Sequence, residues 1–222
     1  MPKTQRLDLA VVERGLAESR SRARALILAG DVLVNGQRET RASQPVRPED
    51  VVALRERPRF VSRGGEKLAH ALARFGIDVA GMVAADLGAS TGGFTDCLLQ
   101  HGAARVYAVD VGYGQLDERL RADPRVMTME RTNARHLEAL PEPVDIVVID
   151  VSFISLALIF PVVARILRAG GTCVPLIKPQ FEAGRGEVGK GGVVRDPAVH
   201  ARVLRATLDA ASAHQLVPLG LV

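Results

Sequence analysis

Residues 83–102, VAADLGASTGGFTDCLLQHG, constrain the fold more than any other stretch of the chain. A short apolar run carries the acidic Asp86 near its end, a glycine-rich turn follows, and an apolar helical run starts at about Phe94. Gly88 permits a tight bend after a strand, and Gly92 and Gly93 allow backbone and ligand to approach closely where the next helix begins. The next apolar run, RVYAVDVG, reaches Asp110, 22 residues beyond Gly88. A carboxylate at that strand end can accept hydrogen bonds from ribose hydroxyls. Strand, glycine turn, helix and acidic strand end together predict a unit that holds a nucleoside-bearing cofactor.

The turn itself, Gly88, Ala89, Ser90, Thr91, Gly92, Gly93 and Phe94, is neither GxGxxG nor a GK[ST] phosphate loop, which argues against a triphosphate. A dinucleotide would want its pyrophosphate at the helix N-terminus, where Asp86 is poorly placed beside phosphate. Asp86 suits a cationic or amine-bearing ligand. S-adenosylmethionine, with a sulfonium, an ammonium and a ribose, fits that charge better than NAD.

The remainder of residues 61–222 keeps the same rhythm. MVAADLG, FTDCLLQHG, RVYAVDVG, VDIVVIDVS, a helix around 156–169 and GTCVPLIKP alternate as apolar strands and helices. Continuous apolar strands of this kind suit a mostly parallel sheet covered on both faces. Ahead of them, a helix starting at Lys67 repeats Leu68, Ala71, Leu72 and Phe75 at helical spacing. In open α/β sheets the reactive groups gather at the carboxyl ends of the strands. Asp150 follows four consecutive apolar residues there, and Lys178 follows another apolar strand, with Pro179 blocking its continuation. A strand-end Asp can be merely structural. An ammonium at the end of a buried strand needs water, a carboxylate or a substrate, and Asp150 is its natural partner.

Residues 1–60 carry 12 Lys and Arg against 8 Asp and Glu, whereas residues 61–222 carry 17 of each, so the basic excess belongs to the N-terminal part. RLDLAVVERG reads as a short helix with Leu7 and Val11 inward. Ser19 opens a second helix whose Leu26 and Ile27 face a core while Arg20 and Arg24 lie one turn apart outside, and Gly30 ends it. Val32 and Val34 alternate into the hairpin signal Asn35-Gly36, and residues 46–54 supply another short strand. Arg20, Arg22 and Arg24, with Arg38 and Arg41 of the hairpin, form either a solvated face or a surface for nucleic-acid phosphates. Aromatic residues are 4% of the chain and Trp is absent, which argues against a surface rich in stacking rings. Cys97 and Cys173 lie in apolar segments and read as free thiols of a reducing compartment. No secretory leader is visible, the apolar run 153–164 is too short to span a bilayer, and no Cys/His cluster has metal-ligand spacing, so a soluble, cytoplasmic, metal-free protein is expected.

The pattern RLDxxL…SRxxAxxLIxxGxVxVNG over residues 6–54 resembles the S4 RNA-binding module. SRGGEKL, ADLGASTGGFTDCLLQ, VDVGYGQL, ERTNAR, DVSFISL, LIKPQFEAGR and GKGGVVRDP resemble the TlyA, or hemolysin-A-like, family, whose large domain is similar to FtsJ-type ribose 2'-O-methyltransferases. The resemblance implies an α/β chain: a Rossmann-like S-adenosylmethionine-dependent methyltransferase sheet behind a small α+β S4-type domain. The boundaries expected are 1–56 for the S4-like domain, 57–65 for a linker and 66–222 for the methyltransferase domain. It implies methyl transfer to a ribose 2'-hydroxyl, of cytidine, in ribosomal RNA, with ribosomal subunits as partners and no membrane role.

The family's Lys-Asp-Lys-Glu set maps onto Lys67, Asp150 and Lys178. Its Glu would lie in a late strand beyond GLV, and residues 216–222 read as the beginning of that strand in a chain cut short. On this resemblance Lys178 accepts the hydroxyl proton, provided burial and Lys67 lower its proton affinity more than Asp150 raises it. Asp86, residues Gly88 to Phe94 and Asp110 hold the cofactor. Arg6, Arg20, Arg22, Arg24, Arg38, Arg41, Arg63, Arg185 and Lys190 meet RNA, the last two from a glycine-rich basic lid at 181–197. The alternatives are a base-modifying RNA methyltransferase and a ribosome-associated RNA-binding protein that binds the cofactor without turnover.

Overall fold

Ser19 and Gly30 bracket the first long helix of the computed structural model, which describes residues 4–55, 58–184 and 186–222. The Ser19 hydroxyl accepts from the Arg22 amide, and Gly30 turns left-handed at φ 71° to close the helix. Two units divide the chain, Met1–Pro58 and Arg59–Val222.

The smaller unit runs β1 (Gln5–Arg6), α1 (Leu7–Glu13), α2 (Arg20–Ala29), β2 (Val32–Val34), β3 (Gln37–Glu39), β4 (Pro45–Val46) and β5 (Val52–Leu54). Asn35 and Gly36 both take positive φ, so a two-residue turn joins β2 to β3 with Val34 opposite Gln37. The strands make a three-stranded sheet, β3-β2-β5, and a β1-β4 ribbon. Leu7, Val11, Ala23, Ile27, Val32 and Val46 are fully buried between them. A buried Leu, Ile or Val side chain contributes about 1.5–3 kcal/mol, so a few such residues sustain a unit this small.

The larger unit comprises α3 (Arg63–Phe75), β6 (Val83–Leu87), α4 (Gly93–Gln100), β7 (Arg105–Val109), α5 (Glu118–Arg121), β8 (Val126–Met129), β9 (Val144–Ile149), α6 (Phe160–Ile166), β10 (Leu167–Pro175), α7 (Pro179–Glu182) and α8 (Pro197–Ala213). Five parallel strands lie in the order β10-β9-β6-β7-β8. Strand alternation sorts the core into two layers. Ala84, Val106, Ile146 and Val148 face Leu68 and Leu72 of α3 and Leu98 of α4. Ala85, Leu87, Val147 and Ile149 face Phe160 and Val163 of α6, with Ala210 and Ala211 of α8 alongside. The sheet winds outward in both directions from β6, so its topological switch point is the crevice between the carboxyl ends of β6 and β9.

Four expectations need correction. The helix expected from Lys67 begins at Arg63, because the Ser62 hydroxyl caps it by accepting from the Gly64 amide. Phe60 and Val61 pack in the larger unit's core, so part of the stretch expected as linker belongs to that unit, while Arg57 lies outside the described residues. The helix expected over 156–169 is a 3-10 turn, Leu156–Leu158, followed by α6; Leu167 already pairs with Val144, and the register shifts before Thr172. Residues 216–222 form no strand. Strand β8 was not anticipated, because VMTM is short and lies between polar turns.

Candidate active site

Gly88 ends β6 at φ +92°, and a β-carbon there would lie 2.8 Å from the carbonyl oxygen of Asp150. The glycine therefore brings two strand ends together at the switch point. Gly92 and Gly93 behave differently from expectation: the space their missing side chains leave is taken by protein rather than by ligand. Leu116 and Leu120 fill it at Gly92, and Ser62 with the Gly64–Gly65 backbone fills it at Gly93. The N-terminus of α4 thereby packs against the N-terminus of α3, which carries Arg63 and Lys67 to the same crevice.

That crevice is a cleft of about 530 Å³. Lys67, the turn from Gly88 to Thr91, Phe94, Asp150 and Lys178 all line it, so the three expected catalytic side chains converge. Lys178 Nζ lies 2.6 Å from Asp150 Oδ1, and both side chains are largely covered, at 17% and 23% exposure. Lys178 also donates to Ser152 Oγ at 2.9 Å and, more weakly, to the Asp150 carbonyl at 3.4 Å. Ser152, a residue the sequence reading overlooked, lines the cleft as well. Its only sequence signal is its place two residues after Asp150.

Asp110 shapes the turn from the other side. Its two carboxylate oxygens accept from the Ser90 and Gly112 amides at 2.8 and 2.7 Å, holding Ser90 at φ +49°. A smaller recess beside the turn is lined by Ser90, Asp110, Gln115, Thr128 and Glu130. Glu130 accepts from the Gly114 amide, and the Arg121 guanidinium at 2.5 Å holds its carboxyl below the usual range.

Asp86 is placed by strand alternation on the face of Ala84, toward α4, and does not line the cleft. It is fully buried; Thr95 Oγ1 donates to its Oδ2 at 2.7 Å, and its Oδ1 has no partner among the described residues. Burial pushes its carboxyl up to about 7. The Cys97 thiol is likewise raised by burial, to about 12, which makes it inert as a nucleophile.

An aromatic pair lies on one side of the lysine. Phe153 sits in the left-handed region at φ +63° and is 90% exposed, unusual for a bulky residue. Its ring centroid is 4.9 Å from that of Phe181, and Lys178 Nζ lies 5.8 Å above the Phe181 ring. Glu182, next to Phe181 on α7, ties down the loop that carries Phe153, accepting from Ser155 Oγ at 2.6 Å and from the Leu156 amide at 2.8 Å.

The basic residues expected to meet RNA are disposed unevenly. Arg6 and Arg20 both bond the buried carboxylate of Asp8 at 3.0 Å, which holds that carboxyl down to about 2. Arg38 donates to the Ala29 carbonyl, and Arg41 pairs with Glu39. The guanidinium groups of Arg22 and Arg24 are exposed and carry no ion pair among the described residues. Arg63 lines the cleft. Lys190 is exposed within a small turn closed by the Gly189–Val193 bridge. The expected lid is anchored close to that turn, because Val194 packs on Val199 and Val203 of α8 and Glu187 pairs with Arg202. Arg185 lies outside the described residues. Among the described residues no cluster of three His, Cys, Asp or Glu could hold a metal ion, and no helix is long and apolar enough to cross a membrane.

Comparison with known proteins places both units. The FtsJ-like methyltransferase family matches residues 60–217, and the S4 domain matches residues 5–52. The 16S/23S rRNA (cytidine-2'-O)-methyltransferase TlyA of Mycobacterium tuberculosis is 51% identical over 209 residues, covering 91% of this chain and 77% of that protein. Hemolysin A of Brachyspira hyodysenteriae is 46% identical over 202 residues, covering 90% of this chain and 84% of that protein. A solved structure described as a hemolysin, from Streptococcus thermophilus, superposes with a TM-score of 0.70 at 44% identity, covering 96% of this chain and 79% of the other.

Proposed function

We propose that this chain, which belongs to the TlyA-like family joining an S4 domain to an FtsJ-like methyltransferase domain, transfers a methyl group from S-adenosylmethionine to a ribose 2'-hydroxyl of ribosomal RNA, on cytidine. The observation that carries the reading is the meeting of Lys67, Asp150 and Lys178 in one cleft beside the glycine turn, with Lys178 bonded to Asp150 at 2.6 Å. Methylation of a base nitrogen or of a protein gives that trio no task.

The residues suit the cofactor. Asp110 and Glu130 beside the turn offer carboxylate oxygens to a ribose, and buried Asp86 beneath the turn keeps one unpartnered oxygen, a polar atom open to a further hydrogen bond. When bound, S-adenosylmethionine supplies an electrophilic methyl group. The protein's own part is positioning and proton handling. A ribose hydroxyl is a very weak acid, so its proton must leave as the oxygen attacks, and Lys178 in its neutral form is the acceptor. Asp150 and Lys67 hold the lysine and the ribose in place, and the partial cover over Lys178 and Asp150 limits water at the reacting atoms. The exposed ring of Phe153, backed by the half-buried Phe181, gives the target base, drawn out of its RNA surroundings, a surface to rest against. In the smaller unit, Arg22 and Arg24 are available to phosphates.

The test is transfer of labelled methyl from S-adenosylmethionine to undermodified ribosomal subunits, followed by nucleoside digestion. Label in 2'-O-methylcytidine, lost in Lys178→Ala while cofactor binding persists, supports the reading. Label in a methylated base overturns the ribose chemistry. Cofactor binding without transfer to any subunit favours a non-catalytic RNA-binding role.

A further inference from the structure

Ser152 stands outside the expected catalytic set, yet it makes the second-shortest contact of the reacting lysine. Its hydroxyl lines the cleft and accepts from Lys178 Nζ at 2.9 Å, and its own proton has no acceptor among the described residues. Asp150 and Ser152 both lie on the chain leaving β9, two residues apart, and both reach one ammonium on the chain leaving β10. Two anchors from one rigid strand end fix Nζ by two distances, where a single carboxylate would leave the four-carbon stem free to swing.

The chemistry of the two anchors differs. The ammonium has three N–H donors and the neutral amine keeps two, so the Asp150 carboxylate and the Ser152 hydroxyl can each accept from Nζ in both forms. A hydroxyl that accepts one of those N–H bonds leaves the single lone pair of the amine free for the ribose proton. It also holds the lysine without adding a second negative charge, which would favour the protonated form.

We propose that Ser152 is the positioning residue that holds Lys178 in both protonation states, accepting one N–H from the ammonium and from the amine alike, so that the lone pair of the amine is left for the ribose proton. This rests on the methyl-transfer reading above, but its test has one arm that does not. In that step the 2'-hydroxyl proton passes to the Lys178 amine, which becomes the ammonium and later returns its proton to water.

Lysines occur only at Lys3, Lys67, Lys178 and Lys190, so the side-chain resonances of Lys178 can be assigned by substitution and followed by NMR in the intact chain. The ε-methylene protons of Lys178 are expected to be distinct in the wild type and in Ser152→Thr, and to merge in Ser152→Ala as the side chain gains rotational freedom. In the transfer assay, Ser152→Ala is expected to lower kcat about tenfold, a fraction of the usual worth of a general base, with KM and cofactor affinity within about twofold. Ser152→Thr should restore kcat, and Ser152→Asp should shift the rising limb of the pH–kcat profile toward alkali. An unchanged Lys178 spectrum in Ser152→Ala overturns the proposal, as does a Thr variant as impaired as the Ala variant. Absence of transfer in the wild type sinks the methyl-transfer reading, and the NMR arm still decides the role of Ser152.

Discussion

A β-carbon on Gly88 would lie 2.8 Å from the carbonyl oxygen of Asp150, so the glycine turn and the strand end bearing the carboxylate are built against each other. The glycine turn and the chain at Asp150 meet backbone to backbone at the switch point of the sheet. Gly88→Ala combines that clash with φ +92°, and we expect it to cost about 4 kcal/mol or more. Gly114→Ala, at φ +68° with nothing within 4 Å, should cost only about 1–2 kcal/mol of left-handed strain. Urea unfolding of the two variants checks the difference; equal costs would mean that the Gly88–Asp150 contact relaxes freely.

Asp86 makes the larger unit sensitive to pH. Its carboxyl is raised from 3.8 to about 7 by burial, so between those values the folded state holds a proton that the unfolded state has released. The stabilisation is therefore complete below about pH 4 and is lost as pH rises through 7, amounting to roughly 4 kcal/mol in all. Asp86→Asn keeps an acceptor for Thr95 and cannot ionise. Its unfolding free energy should vary less between pH 5 and pH 8 than that of the wild type, as read from denaturant midpoints at each pH.

Asp8 works in the opposite sense. Arg6 and Arg20 hold its carboxyl near 2 against 3.8 when unfolded, so the stability it lends the smaller unit is present above about pH 4 and fades as pH falls toward 2. Asp8→Asn should remove this acid sensitivity and destabilise the smaller unit at pH 7 by about 1–3 kcal/mol. Because Asp8 also fixes the two arginines, the same variant should weaken binding to ribosomal RNA severalfold, and a filter-binding titration reads that effect.

Glu182 accepts from Ser155 Oγ and from the Leu156 amide, and so steadies the loop that carries Ser152 and Phe153. Glu182→Ala leaves the Leu156 amide without its acceptor, and we expect a stability loss of about 2 kcal/mol together with a fall in kcat. Calorimetry and the transfer assay, run on the same preparation, separate the two effects. A change in stability with kcat intact would confine Glu182 to folding.

Local chemistry explains what was legible in the sequence. Asn35-Gly36, Ser19 and Gly30 each specify a backbone conformation by themselves, and each appears where its residue type requires. Asp150 and Lys178 were traceable because strand ends in a parallel sheet converge, whereas Lys67, on α3, was traceable only through the family resemblance. The Lys178–Ser152 bond and the filling of Gly92 by Leu116 and Leu120 were not visible, since both depend on which side chain reaches a space that only packing creates. The start of α3 was misplaced for a related reason: a glycine pair, Gly64-Gly65, reads as loop, yet Gly65 is buried against Phe60 and its neighbour bonds the Ser62 cap.

The central claim is that the lysine pair and Asp150 direct a methyl group to a ribose oxygen. A 2'-O-methyl group blocks alkaline cleavage of the adjoining phosphodiester, because the attacking hydroxyl is gone. The decisive measurement is therefore alkaline hydrolysis of ribosomal RNA labelled by this protein with radioactive S-adenosylmethionine. The account predicts label in alkali-resistant dinucleotides, and its disappearance with Lys178→Ala. Label recovered in mononucleotides would place the methyl group on a base and contradict the account.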